Sequence, residues 1–175
     1  MNRTLGIKEF DEYYKSGDYP KYIITQISEG TKKYKETKKE YDGIENRIQE
    51  DLAGREDPEN QYKDFKWKLK SLHDYLDTGE KQLDLVNEHI DMIYNWKNLT
   101  KTQRRQFLDA VVDCRDFTED RWNTKENLIK EIRKYNKELD NGVTDHEYIS
   151  CTNYLLEPLY KIDNNLQRIQ RNYKE

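Results

Sequence analysis

Apolar residues in this chain recur in alternating steps of 4 and 3. One track reads Ile23, Ile27, Gly30, Tyr34, Thr37, Tyr41, Ile44 and Ile48. A second reads Tyr62, Phe65, Leu69, Leu72, Leu76, Gly79, Leu83, Val86, Ile90 and Ile93. This spacing gives the narrow a/d seam of a coiled coil rather than the wider stripe of an ordinary surface helix. Folding the chain back between Leu52 and Pro58 brings level those residues whose numbers sum to 109 or 110. Ile48 then faces Tyr62, Ile44 faces Phe65, Tyr41 faces Leu69 and Ile27 faces Leu83. Gly30 falls level with Gly79, which predicts a close helix approach or a slot for a bulky neighbour. Gly30→Leu is expected to overpack at a cost on the order of 1–3 kcal/mol.

Local signals place the ends of the helices. Residues 1–17 form a short N-terminal segment ended by Ser16-Gly17. Pro20 suits a first helical turn, so the first long helix starts near Asp18 or Tyr19 and runs to about Ala53. Gly54 to Pro58 make the turn, with Asp57 capping the second helix and Pro58 at its first position. That helix runs to about Lys97. After the connector Asn98-Leu99-Thr100, Thr100 and Gln103 form a capping box. The third seam reads Phe107, Val111, Cys114, Thr118, Arg121, Lys125, Leu128, Ile132, Tyr135 and Leu139, with a polar middle and a candidate break near Asn123-Thr124. Asn141-Gly142 stops it, and Thr144 with Glu147 opens the last helix. Its seam is Tyr148, Thr152, Leu155, Leu159, Ile162, Leu166, Ile169 and Tyr173, and Pro158 is expected to kink it. The expected fold is all-α: two antiparallel coiled-coil-like helical hairpins, 18–98 and 99–175, up-down-up-down, as one bundle or an angled pair.

Composition fits thin seams with solvated outer faces. Hydrophobic residues make up 34% of the chain, Tyr accounts for 14 residues, and 38% are charged, with mean hydropathy −1.25. Scattered apolar residues at this level would mean disorder, but here they are periodic. The core is small, so a partner or a second copy in a homodimer would complete it. Net charge is −4; residues 1–99 hold 17 basic and 21 acidic residues, and the rest hold 14 of each. Bulk charge therefore does not mark a nucleic-acid binder. No apolar run is long enough to span a membrane and no signal peptide is recognisable, so the expected location is the cytoplasm, without membrane contact. Two cysteines suit a reducing compartment; Cys114 and Cys151 fall at different heights of the second hairpin and are not expected to bond. Richness in Lys, Asn, Ile and Tyr is the style of an AT-rich genome, such as a bacterium or its phage.

Catalytic signals are sparse. The three histidines are His73, His89 and His146. None forms the Glu-x-x-His pair of a di-iron bundle, and His73 and His89 lie beside the seam rather than on it. There is no Gly-rich phosphate loop, and neither cysteine has a nucleophile's context. The expectation is no catalytic residue, no cofactor and no metal.

Two surfaces remain as candidates. Trp67 sits at the outermost heptad position with Lys63 and Lys70 on its face, and the register adds Lys38 and Lys39, followed by Lys32, Lys33 and Lys35. A tryptophan in a basic band can stack on bases and grip phosphates, or anchor a protein interface. It can equally pack under residues 1–17 or on the second hairpin. The other surface is acidic: Asp109, Asp113, Asp116 and Asp120 recur at steps of 4, 3 and 4, with Glu119 beside them. Most of them lack a basic partner within the helix, and Arg105 reaches only Asp109. Such a row can imitate a phosphate backbone, whereas its bland roles are solubility and dipole compensation near a helix start.

These observations point to a non-enzymatic helical protein-binding module, an adaptor or inhibitor. One concrete form is a phage-type inhibitor of a host nucleic-acid-handling defence enzyme, in the anti-CRISPR or anti-restriction style; that likeness is of size and charge, with no shared motif. The alternative is a nucleic-acid-binding accessory protein using the Lys band around Trp67.

Overall fold

A computed structural model describes residues 19–120, residue 130 and residues 145–174. Over these residues the protein is all-α. Helix α1 spans Tyr19–Ala53, α2 is one turn over Pro58–Gln61, and α3 spans Lys63–His89. A 3₁₀ segment, Ile90–Asn98, continues from α3. Helix α4 spans Lys101–Glu119 and α5 spans Asp145–Asn172. Segment 1–17, the third seam from Arg121 onward, the Asn141-Gly142 stop and the Thr144 cap lie outside the described residues.

The four long helices pack as a bundle: α1 lies mainly against α5 and α3, and α4 lies against the same two. One apolar cluster draws on all four, including Ile27 and Tyr41 from α1, Leu69 and Leu83 from α3, Phe107 and Val111 from α4, and Leu159 and Leu166 from α5. Two neighbours per helix explain a departure from the expected narrow seam. On α1, burial extends beyond the a/d track to Tyr22, Gln26, Thr31, Lys38 and Glu45, the wider stripe of a helix packed on two sides.

The register between α1 and α3 differs from the one expected. Polar contacts join Ser28 to Asn87, Thr31 to Asn87, Lys35 to Asp84, Lys38 to Asp77 and Asp42 to His73. These pairs sum to between 115 and 119, five to ten residues beyond 109 or 110. The Tyr34 hydroxyl, which donates to the Leu76 carbonyl at 2.9 Å, sums to 110, the value expected. The helix ends agree with the shifted register, since Ala53 closes α1 and Lys63 opens α3, a sum of 116. A slip of seven residues returns a and d positions to a and d positions, so the apolar pattern does not distinguish the two registers. Gly30 and Gly79 therefore do not share a slot. A β-carbon on Gly30 would lie 2.7 Å from Ile162 Cγ1 of α5, and one on Gly79 would lie 2.1 Å from Phe117 Cζ of α4.

The turn after α1 also differs in detail. Asp57 takes a left-handed backbone, φ 48°, and makes no side-chain cap. Its carboxylate accepts instead from the Asn60 side-chain amide at 3.2 Å. The capping box of α4 forms as expected: Gln103 N–H donates to Thr100 Oγ1 at 3.2 Å, and Thr100 N–H donates to Gln103 Oε1 at 3.0 Å. Just before it, Trp96 ties three elements together. Its ring meets Phe107 and Tyr173 edge-on, its Nε1–H donates to the Lys174 carbonyl at 3.0 Å, and Arg104 donates to its carbonyl at 2.9 Å. No helix among the described residues is long and apolar enough to cross a membrane.

Candidate functional site

The acidic row lies where its spacing placed it. Asp109, Asp113, Asp116, Glu119 and Asp120 are all exposed, while Phe107, Ala110, Val111, Cys114, Phe117 and Thr118 turn inward. Within the helix Arg115 Nη2 pairs with Glu119 at 3.1 Å. Dipole compensation fails as the cause of the row. The first turn of α4 carries no acid and the last turn no base, and Asp116, Glu119 and the C-cap Asp120 sit at the end where the helix dipole disfavours negative charge.

The Lys band is thinner than the sequence implies. Trp67 is 66% exposed among the described residues, so it is not buried against those of the second half. Lys63 and Lys70 are exposed beside it on α3. Lys38, however, is buried and points into carboxylates rather than outward: Asp77 Oδ1 at 2.5 Å, with Asp42 Oδ2 and Glu80 Oε2 both at 3.3 Å. Burial alone would lower its pKa, but the bond to Asp77 and the charges of Asp42 and Glu80 outweigh burial and hold it well above the usual lysine range. Lys35 is likewise matched, by Asp84. The register slip accounts for both, since it carries Lys35 and Lys38 past Lys70 to the acids of α3.

Lys38 belongs to a polar cluster between α1 and α3 that sequence reasoning missed. His73, placed on a flank by its heptad position, meets three carboxylates. Its Nδ1 lies 3.2 Å from Asp42 Oδ1 and 3.2 Å from Glu45 Oε2, and its Nε2 lies 3.2 Å from Asp77 Oδ2. Only the i, i+4 relation of His73 to Asp77 was visible in the sequence; Asp42 and Glu45 arrive through the shifted register. Burial pushes the Glu45 carboxyl above its ordinary range; His73 opposes this and Asp42 adds to it. Lys38 has the opposite effect on Asp77, holding that carboxyl below the usual value through their hydrogen bond.

A second polar clamp joins α4 to α5. Asp163 is buried; Thr118 Oγ1 donates to its Oδ1 at 2.8 Å and Gln167 Nε2 donates to its Oδ2 at 3.0 Å. Arg115 Nε lies 3.6 Å from the same carboxylate, and its Nη1 donates to Gln170 Oε1 at 2.7 Å. Thr118, a polar interruption in the seam pattern, is thus a satisfied core residue. Asp163→Ala is expected to cost about 2–3 kcal/mol in urea unfolding, below the usual ~3–5 for a broken buried pair, because Arg115 keeps Glu119 and Gln170. Asp163→Asn retains an acceptor for Thr118 and should cost clearly less; equal costs would mean that the carboxylate charge, and not the acceptor for Thr118, carries the clamp. Nearby, burial and the charges of Asp163 and Asp113 push the Cys114 thiol up to about 12, which leaves it protonated and a poor nucleophile at neutral pH.

Set against protein-family models, curated proteins and solved structures, the chain matches none.

Proposed function

We propose that the protein is a non-enzymatic helical binding module, an adaptor or inhibitor, that presents the acidic face of α4 to a basic protein surface. The observation that carries this reading is the direction of the row. Asp109, Asp113, Asp116, Glu119 and Asp120 are exposed, and the last three, in the final turn and C-cap of α4, sit where the helix dipole disfavours negative charge. The Arg115–Glu119 pair offsets this at one position, whereas a docking face for a basic groove accounts for the row as a whole. A nucleic-acid-handling enzyme has such a groove, and a phage-type inhibitor of the anti-CRISPR or anti-restriction style is the concrete form. On this reading the bundle is two antiparallel hairpins, up-down-up-down, that hold α4 rigid. In support, contact numbers fall on one helix as they rise on the other for α1 with α3 and for α4 with α5.

The second reading, a nucleic-acid accessory protein, is favoured by the exposure of Trp67 beside Lys63 and Lys70. Its weakness is that Lys38 and Lys35 face acids. Two measurements separate the readings. Immobilised chain should retain a basic protein from a lysate and release it as salt rises, and labelled DNA and RNA oligonucleotides should show no anisotropy change at low salt. Oligonucleotide binding that weakens steeply with salt, without protein capture, would replace the first reading by the second.

A further inference from the structure

Three side chains at the α1–α3 interface each bring one donor atom to a common place. Asp42 Oδ1 and Glu45 Oε2 each lie 3.2 Å from His73 Nδ1, and the three atoms fall within 4.8 Å of one another. Glu45 is only 9% exposed. Its Oε2 and Asp42 Oδ1 are both shielded from solvent, and among the described residues the one donor atom near both is His73 Nδ1, with neither aligned on it for a good hydrogen bond. A buried carboxylate oxygen without a partner is costly, and two converging on a ring nitrogen repel one another unless something positive lies between them. A proton on Nδ1 resolves half of this at most, because it lies along one direction in the ring plane and can serve only one of the two oxygens.

We propose that Asp42, Glu45 and His73 form a site for a divalent first-row transition cation, such as Zn²⁺, that clasps α1 to α3. The spacing suits such an ion. Bonds of about 2.0–2.2 Å in a tetrahedral arrangement put neighbouring ligand atoms roughly 3.3–3.6 Å apart, close to the two distances seen. The donor set selects the class of metal: an imidazole nitrogen favours zinc and its neighbours over calcium or magnesium, which prefer oxygen throughout.

The surroundings complete the site. The other ring nitrogen of His73 faces Asp77 Oδ2 at 3.2 Å, the carboxylate–histidine–metal arrangement that orients a ligating imidazole. Lys38 occupies Asp77 Oδ1 and Asp42 Oδ2, leaving Asp42 Oδ1 for the ion. With His73 neutral, the four carboxylates Asp42, Glu45, Asp77 and Glu80 outweigh Lys38 by three charges, and a divalent ion brings this to one. Asp42 and His73 are each about one-third exposed, so water can reach a fourth position.

The test uses the full chain, prepared without metal-affinity resin, and titrates Zn²⁺ calorimetrically near neutral pH. One equivalent should bind. His73→Ala and Glu45→Gln should each remove that binding, with far-ultraviolet circular dichroism confirming that both remain helical. Asp77→Asn should weaken it by roughly 10–100-fold, as loss of an orienting partner does, and His89→Ala should leave it unchanged. Nitrogen-15 histidine NMR should show the shift on binding at Nδ1 of His73. Should a variant fail to fold, that NMR signal in the unaltered chain still decides. The proposal is overturned if the unaltered chain binds no Zn²⁺, if binding survives in Glu45→Gln and His73→Ala, or if His73 Nδ1 does not respond.

Discussion

Replacing Gly79 with alanine is expected to destabilise the chain by about 2 kcal/mol, although alanine is the better helix former. The new β-carbon would lie 2.1 Å from Phe117 Cζ and 2.4 Å and 2.5 Å from its two ε-carbons. The ring has little room to move. Tyr75 packs against it with centroids 4.8 Å apart, Tyr34 meets it edge-on at 6.1 Å, and the Tyr75 hydroxyl donates to the Phe117 carbonyl at 3.1 Å. Helices α3 and α4 must therefore separate, a strain near the upper end of the ~1–3 kcal/mol range for overpacking, less the ~1 kcal/mol that alanine returns in a helix interior. Two other glycines calibrate the effect. Gly30→Ala meets only the side chain of Ile162 at under 3 Å, whose branches can rotate, so it should cost less. Gly43 has nothing within 4 Å, so Gly43→Ala should stabilise by up to ~1 kcal/mol. Combining Gly79→Ala with Phe117→Leu should cost less than the sum of the two alone, the coupling expected of residues in contact. A Gly79→Ala chain as stable as the unaltered one would mean that the Phe117 slot is wrongly placed.

That slot also marks how far the sequence could be read. Features set by a few neighbouring residues were legible. The end of α1 at Ala53, Pro58 opening the next turn, and the reciprocal Thr100–Gln103 bonds each follow from local chemistry. So were the inward faces, since Ile27, Leu69, Phe107 and Leu159 are buried at the positions their spacing assigns. What was not legible is how one helix slides along another. A heptad pattern is unchanged by a seven-residue slip, so apolar residues alone allow several registers, and polar pairs choose among them. Lys38 among Asp77, Glu80 and Asp42 makes that choice here, because a buried ammonium must find its carboxylates. From that one pairing follow the thinning of the Lys band and the gathering of Asp42, Glu45 and His73. The glycines were misread for a related reason. A seam read as one partner's footprint does not reveal that Gly30 and Gly79 serve α5 and α4 respectively. For the acidic row, the spacing predicted exposure correctly, but its relation to the dipole required knowing where α4 ends.

Reversing Asp109, Asp113, Asp116 and Asp120 to lysine is expected to abolish partner binding while leaving the fold intact. Four substitutions, each worth two charges, move the face by eight units. Against a basic surface this turns steering into repulsion; association should slow by ~10–10³-fold, and like charges brought together add a cost of several kcal/mol. Stability should scarcely change. Each side chain is exposed and points away from the core, where substitutions usually shift stability by less than ~0.5 kcal/mol. Lysines at 116 and 120 even favour the helix, because positive charge at its C-terminal end gains ~0.3–1 kcal/mol per site. A variant that binds nothing yet melts at or above the temperature of the unaltered chain would separate lost recognition from lost structure. The comparison is Trp67→Ala with Lys63→Ala and Lys70→Ala, which removes the other surface and should affect protein capture far less. Raising salt should weaken the unaltered complex in the same direction as the reversal, since exposed charges are screened beyond about 8–10 Å. Full capture by the acidic-row variant, with salt-sensitive oligonucleotide binding lost in the Trp67 variant, would move the functional surface from α4 to α3.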